Sequence, residues 1–229
     1  MKKILYSTLS IAFLSSVLFL GSCKKTTSVN GLVQTEVEVA TVNGVATTTN
    51  FTFTYDGQGR QILKQVSGST VSSVSYNYGS SGQVVQTTTG TNAGTVTYTL
   101  NSQGLASSDG TNTYSFTNGY LTTEDDAAGN SLNSTVSNGN VTGTTVVEGG
   151  VTTIYAYQFS TTQDYRNFGL SFLGKRNTDL VSSESVTSTG TPTQYTITYT
   201  YDSQGRVLQQ TLTPGGSTSY VYTYTYTSN

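Results

Sequence analysis

The chain offers few residue types that could do chemistry. It has no histidine, and it has a single cysteine among its 229 residues. The lack of histidine excludes imidazole zinc sites and Ser-His-Asp catalysis, and one cysteine excludes a disulfide framework or a thiolate metal cluster. The formal net charge of -2 disfavours a nucleic-acid partner, which needs a basic face. We therefore expect a protein that is not an enzyme and that holds no metal or cofactor.

The single cysteine, Cys23, stands in an informative context. A basic start at residues 1–3 is followed by an apolar run, and residues 20–23 read LGSC. A basic segment, an apolar segment and small residues before a cleavage point are typical of a secretory signal. The run is too short and too polar for a transmembrane helix, which needs about 20 mostly apolar residues. The segment resembles a bacterial lipobox, which implies that Cys23 is lipidated and becomes the first residue.

This resemblance predicts a signal peptide over 1–22 and a lipid-anchored tether over 23–31. Lys24 follows the cysteine, which is compatible with passage to the outer membrane. The acidic surface-export signal that some lipoproteins of the Bacteroidota carry at this place is absent. We therefore expect an outer-membrane lipoprotein, with the periplasmic face favoured, whose partners are the membrane and an unknown envelope ligand or protein.

Acidic residues cluster only at 124–126, where Glu124, Asp125 and Asp126 are adjacent. Their oxygens could hold calcium, but the spacing matches no known calcium loop, and a solvated hairpin tip is the favoured interpretation. No pair of acids stands out as the two carboxylates of a glycoside hydrolase. Glu and Asp residues elsewhere lie mostly in turn contexts.

The segment 160–180 interrupts an otherwise regular pattern and contains three of the eight basic residues that follow the signal. Long interruptions in compact domains are often functional. It could be a plug that packs its phenylalanines against the barrel mouth and offers polar groups to a ligand, or a purely structural cap, which is favoured. The candidate ligand-binding residues are Tyr165, Arg166, Asn167, Lys175 and Arg176.

The elements that must position these residues are strands. From residue 32 onward, apolar and polar residues alternate with period two, as they do from Tyr220 to Tyr226, where every second residue is tyrosine. Turn sequences starting at 56, 79, 101 and 126 recur at spacings of 23, 22 and 25 residues, with opposite turns between them. This rhythm predicts about 14–16 short strands in one domain over 32–229.

Two turn sequences are more specific than the others. Residues 53–62 (FTYDGQGRQI) match residues 199–208 (YTYDSQGRVL). Both resemble the YD repeat of wall-associated and Rhs-type proteins, in which Tyr-Asp and Gly-Arg flank a hairpin. The aspartate can accept backbone N–H groups in the turn, and the glycine supplies a positive φ. A structural role in the turn is favoured for Asp56, Gly59, Arg60, Asp202, Gly205 and Arg206, with a ligand-contact role as the alternative.

The whole chain resembles uncharacterised lipoproteins of the Bacteroidota described as a domain of unknown function with a porin-like fold. The likeness covers the signal, the hairpin rhythm, the segment 167–180 and the closing strand. It implies an all-β antiparallel hairpin meander, as a curled single sheet or a barrel. The non-aromatic faces carry Thr and Ser rather than an apolar band, which predicts a barrel that does not span the membrane.

Three functions remain open from the sequence. The favoured one is a non-enzymatic binding module for a glycan or peptide, which predicts a tyrosine-lined interior. The alternative is a structural or protein-interaction lipoprotein without a small-molecule site. The third is a hydrolase that uses two carboxylates, which predicts converging acids, one with a raised pKa.

Overall fold

The structure, a computed structural model, describes residues 31–68, 70–79, 82–90, 92–214 and 218–227. The predicted signal peptide, Cys23 and the tether up to residue 30 lie outside the described residues. No helix within the described part of the chain is long and apolar enough to cross a membrane.

The described chain forms one closed antiparallel barrel of sixteen strands in which each strand pairs with its sequence neighbours and β1 pairs with β16. The expected all-β barrel and the expected number of strands are confirmed. The strands are β1 Val33–Val42, β2 Val45–Tyr55, β3 Gln61–Gly68, β4 Ser72–Tyr78, β5 Gln83–Gly90, β6 Gly94–Leu100, β7 Ala106–Ser108, β8 Asn112–Thr117, β9 Tyr120–Asp126, β10 Ser131–Ser137, β11 Asn140–Glu148, β12 Val151–Gln163, β13 Asp179–Thr187, β14 Thr193–Tyr201, β15 Val207–Pro214 and β16 Ser219–Tyr226. A short 3-10 helix, Ser171–Leu173, lies between β12 and β13.

The alternating sequence divides each strand between the two faces of the barrel wall. On β14, Ile197 is buried, whereas Thr196 and Thr198 are exposed. The register places Ile197 opposite Leu212 on β15, so apolar side chains meet on the inner face. Because side chains alternate across a strand, threonines between the tyrosines necessarily point outward.

The outer face carries mostly Thr, Ser, Gln and Asn side chains. Hydroxyl pairs connect neighbouring strands there, with 2.6 Å between the Oγ1 atoms of Thr35 and Thr225 and 2.8 Å between Ser73 Oγ and Thr89 Oγ1. A barrel that spans an outer membrane presents an apolar band to the lipid. On the described strands, polar side chains occupy most of the positions that would form such a band.

The hairpin turns lie at two ends of the barrel. One end, here called the plug end, carries the turns at 56–60, 101–105, 118–119, 138–139 and 202–206. The opposite end carries those at 43–44, 109–111, 127–130, 149–150 and 188–192. The sequence rhythm predicts that the turns starting at 56, 79, 101 and 126 lie at one end. This prediction is wrong for the turn that starts at Asp126, which lies at the other end from those at 56 and 101. The three-residue strand β7 forms an additional hairpin with β8. As a result, three strands separate the turn at 101 from the turn at 126, and these two turns lie at different ends.

A ring of buried residues surrounds the plug end of the barrel. The eight strands that run away from this end each contribute one buried side chain at or next to their first residue. The ring consists of Val33, Gln61, Val84, Ala106, Tyr120, Asn140, Leu180 and Val207. Six of its members are apolar and so form a collar for whatever fills this end.

The segment 164–178, here called the plug, fills the ring. Phe168 packs in one buried cluster with Val33 and Val207, and Phe172 packs in a second with Val84. Gly169 passes so close to the wall that an added Cβ would lie 2.6 Å from the Gly59 oxygen, and its φ is +69°. Only glycine fits this position without moving the wall.

Candidate functional site

The two YD-type turns have the same geometry. In the first, Asp56 Oδ1 accepts the backbone N–H groups of Gln58 and Arg60 at 2.9 and 3.0 Å, and Arg60 Nε donates to Asp56 Oδ2 at 2.7 Å. In the second, Asp202 and Arg206 repeat this arrangement, with Arg206 Nε 2.7 Å from Asp202 Oδ2. Gly59 and Gly205 take positive φ angles of 73° and 77°.

Both turn arginines also lie over a tyrosine of the next hairpin. The guanidinium of Arg60 is 4.3 Å from the centre of the Tyr78 ring, and that of Arg206 is 4.5 Å from the Tyr226 ring. The carboxylate, the guanidinium and the ring thus fix each other at the edge of the barrel. The carboxylates and guanidinium groups of both turns therefore have partners within the protein.

The plug contains a buried ionic cluster. Asp164 Oδ2 lies 2.8 Å from Arg166 Nη2 and 3.1 Å from Arg176 Nη2, with all three side chains almost fully buried. Arg166 also donates to Gln210 and to the Tyr224 hydroxyl, both on the barrel wall. Burial alone would raise the pKa of Asp164, but the two guanidinium groups outweigh it and lower that pKa.

The five candidate ligand-binding residues are only partly brought together. Arg166 and Arg176 meet through Asp164 inside the barrel, whereas Tyr165 is 37% exposed and Lys175 is also exposed. The backbone carbonyl oxygen of Asn167 accepts the Val33 backbone N–H at 2.9 Å, which attaches the plug to β1. A ligand role for these five residues stays a prediction.

A different set of polar residues lines the inner face between the ring and the opposite end. Four glutamates point inward there and are half-buried, as their pairing with inward aromatic or apolar residues shows: Glu36 opposite Tyr224, Glu38 opposite Tyr222, Glu124 opposite Tyr114, and Glu184 opposite Tyr157 and Tyr195. We call these residues the inner glutamates. The solvated hairpin tip expected at 124–126 is correct for Asp126, which caps the turn, but not for Glu124.

The inner glutamates hold their protons more tightly than ordinary carboxyl groups. Burial raises the pKa of Glu36 from 4.5 to about 7, although nearby Lys64 acts in the other direction. Burial also raises the pKa of Glu184 from 4.5 to about 7. The pKa values of Glu38 and Glu124 are raised for the same reason. The carboxyl groups of Glu36 and Glu184 can therefore donate or accept hydrogen bonds near neutral pH.

Strand β1 shows why the inner glutamates were not predicted from the sequence. Glu36 and Glu38 alternate with Val37 and Val39, and burial of apolar residues would predict that the valines face the core. The register with β16 does the reverse and turns the glutamates inward beside two tyrosines. The inner glutamates could have been predicted by pairing β1 with β16, because Glu36 and Glu38 then fall opposite the alternating tyrosines of β16.

The inner face is rich in tyrosine as expected. Tyr155 and Tyr157 lie on it in a stacked arrangement, with 6.5 Å between ring centres, and Tyr98 and Tyr114 lie 6.1 Å apart. Such rings offer an apolar face and a hydroxyl to a bound molecule. Among the described residues no group of three or more metal-ligating side chains is close enough to hold a metal ion.

Comparison with solved structures shows the same architecture elsewhere. The chain is similar to a porin-like protein from Bacteroides uniformis, with a TM-score of 0.64, 16% identity, and coverage of 86% of this chain and 99% of that one. It is also similar to a porin-like protein from Bacteroides vulgatus, with a TM-score of 0.60, 11% identity, and coverage of 87% and 100%. At these identities the likeness establishes the porin-like barrel fold.

No family model matches the chain. No curated protein matches it either.

Proposed function

We propose that the protein is a non-enzymatic binding protein of the bacterial cell envelope that takes a ligand inside its barrel. The observation that carries this proposal is the contrast between the two faces of the wall. The outer face is uncharged over most of its area and made of small hydroxyl and amide side chains, whereas the inner face collects tyrosines and half-buried glutamates. A face that serves only to fill a core would carry apolar residues at these positions.

The polar outer face supports a location beside the membrane rather than in it. Threonines such as Thr196 and Thr198 occupy the positions that would contact acyl chains in a spanning barrel. A lipid on Cys23 would hold such a barrel at the membrane, since acyl chains contribute about 0.8 kcal/mol for each buried methylene. We favour the periplasmic face of the outer membrane.

The charges on the inner face indicate which ligands it suits. On the described strands, four inner glutamates stand against one inward basic side chain, Lys64, whose Nζ lies 4.6 Å from the Phe51 ring centre. Arg166 and Arg176 of the plug are also inside the barrel, but both pair with Asp164. The carboxyl groups favour a glycan or peptide that presents hydroxyl, amide or amine donors, and they disfavour an anionic ligand. Tyrosine rings would contact its apolar parts.

Adjacent acidic residues on β9 supply a matched test. Glu124 faces inward and Asp125 faces outward and is exposed. The protein would be screened against soluble glycans and peptides by thermal shift, and each hit measured by calorimetry. Glu124→Gln should weaken binding at least severalfold, whereas Asp125→Asn should bind as the parent does. Equal binding by both variants would place the ligand outside the barrel and contradict the proposal.

The lipid anchor is tested separately. Cys23→Ser should release the protein from the membrane fraction or leave the signal uncleaved, because only a cysteine sulfur takes the lipid. Membrane association that is unchanged in this variant would refute the anchor. Labelling of the parent protein with radioactive fatty acid provides the positive control.

A second function is favoured by one specific observation. Glu36, with its pKa near 7, lies two residues from Glu38 on the same face, and a general acid works best with a pKa near the operating pH. If the barrel hydrolyses glycans, the protein will release reducing ends from a polysaccharide, and Glu36→Gln will abolish the release. If the protein neither binds nor cleaves soluble ligands, the structural or protein-interaction role becomes the better proposal.

A further inference from the structure

The chain enters the barrel at the plug end. Leu32 O accepts the backbone N–H of Thr227, at the end of the last strand, at 2.8 Å, and Val33 N–H donates to the plug at Asn167 O. The N-terminal segment that leads back to Cys23 therefore leaves the domain beside the plug.

Charge is distributed unevenly along the barrel axis. Of the six basic residues from 31 onward, five lie in the plug or in plug-end turns: Arg60, Arg166, Lys175, Arg176 and Arg206. The plug end also holds four acidic residues, Asp56, Asp164, Asp179 and Asp202, so its formal charge is +1. Arg166 and Arg176 are buried against Asp164 and do not add to the exposed charge. Eight of the twelve acidic residues lie beyond the ring, where Lys64 is the one basic residue in the described part of the chain: Glu36, Glu38, Asp109, Glu124, Asp125, Asp126, Glu148 and Glu184. Lys24 and Lys25 add positive charge next to the predicted anchor.

The plug end also exposes two tyrosines and a leucine. Tyr165 in the plug is 37% exposed, and Tyr201 and Leu208, which flank the second YD-type turn, are each 43% exposed. Tyrosine is enriched where proteins meet the headgroup region of a bilayer. The opposite end exposes valines, such as Val45 at 68%, but it does so among acidic residues that an anionic bilayer repels.

The length of the chain before the barrel limits the alternative orientation. Seven residues lie between Cys23 and Gly31, and the eight Cα–Cα steps that join these two residues span at most about 28 Å. The longest hairpin strand beside it, β2, has 11 residues, which corresponds to a barrel height of about 28 Å at usual rise and tilt. The opposite end could reach the bilayer only with this segment fully extended along the barrel wall.

We infer that the plug end is a membrane-facing surface that lies against anionic lipid headgroups, so that the opposite end faces away from the bilayer. The inference rests on the lipid anchor proposed above for Cys23. In this orientation a ligand enters the barrel from the aqueous side, and the plug separates the barrel interior from the membrane.

The single cysteine allows a direct test. Once its sulfur carries lipid, an introduced cysteine is the one free thiol and can carry a fluorophore at a chosen site. The full lipidated protein would be placed in vesicles of equal parts phosphatidylethanolamine and phosphatidylglycerol that contain nitroxide-labelled lipids. Exposed turn residues give matched positions: Ser102→Cys and Ser203→Cys at the plug end, Ala127→Cys and Thr189→Cys at the opposite end.

The labels at the plug end should be quenched severalfold more strongly than those at the opposite end. Equal quenching at the two ends, or stronger quenching at the opposite end, with the protein bound to the vesicles, would overturn the orientation alone. Failure of the parent protein to float with the vesicles would overturn the anchor, and the orientation with it.

Discussion

Glu184 allows the inner face to be tested through folding stability, without knowledge of any ligand. It lies on β13 between Tyr157 and Tyr195 on the neighbouring strands. Burial raises its pKa from 4.5 to about 7, and no cation contributes an opposing effect. We predict that Glu184→Gln stabilises the protein at pH 8 and has little effect at pH 4.5.

The sign follows from the number of protons that each state binds. Between pH 4.5 and 7 the folded protein holds the Glu184 proton and the unfolded chain has lost it, so the free energy of unfolding falls as the pH rises through this window. Above pH 7 Glu184 is ionised in both the folded and the unfolded state, and the full free-energy cost of burying its charge is present. The shift corresponds to about 3 kcal/mol, which is an upper value because the side chain is half-buried and water screens part of the charge.

The assay is urea denaturation at several pH values between 4.5 and 8, followed by circular dichroism or tyrosine fluorescence. The free energy of unfolding of the glutamine variant should exceed that of the parent by up to about 3 kcal/mol at pH 8. The two free energies should converge at pH 4.5. Glu148→Gln, which removes an exposed carboxylate at the end of β11, is the control and should show no such divergence. Equal stability of parent and Glu184→Gln at pH 8 would refute the inference that burial perturbs this carboxyl group.

Three further substitutions probe the ring and the plug, each by the same urea measurement. Gln61 is buried, and neither side-chain amide atom has a hydrogen-bond partner among the described residues, whereas the equivalent residue of the second YD-type hairpin is Val207. Gln61→Leu should therefore stabilise the protein by about 1–3 kcal/mol, and a loss of stability would mean that the amide is satisfied. Asp164→Asn should cost about 3–5 kcal/mol, because it leaves two buried guanidinium groups without their carboxylate; a cost below about 1 kcal/mol would show that the cluster is open to water. Phe172→Ala should also cost about 3–5 kcal/mol, since the ring is 2% exposed and lies 5.2 Å from the Tyr98 ring, and a near-neutral result would indicate that the plug does not seal the barrel.

Local sequence signals predicted the parts of the fold that local forces determine. The period-two pattern identified the strands, and the Asp-x-x-Gly frames identified tight turns, because turn geometry depends on the few residues within it. The end at which each turn lies depends instead on the number of intervening strands. The three-residue strand β7 is too short to be recognised by periodicity, and it reversed the predicted position of the turn at Asp126.

The polar residues of the interior were harder to predict because their partners are distant in sequence. Arg166 contacts Gln210 and Tyr224, which lie 44 and 58 residues away. An arginine in an irregular segment therefore looks available to a ligand, although the fold supplies it with protein partners. Asp164, two residues away, was the one local indication that the charge is paired within the plug.

Strand β1 gives the strongest argument that the interior has a function beyond filling the barrel. A register that turned Val37 and Val39 inward would bury apolar surface and leave Glu36 and Glu38 in water, with a gain in stability. The observed register keeps the glutamates inward at the cost of desolvating them, as the raised pKa of Glu36 shows. Natural sequences depart from the stable pattern mainly where a site requires it. Glu124 on β9 and Glu184 on β13 also face inward, on separate parts of the same inner face, and burial raises the pKa of each. This desolvation cost recurs on the inner face of the described strands and supports the proposal that a ligand binds inside the barrel.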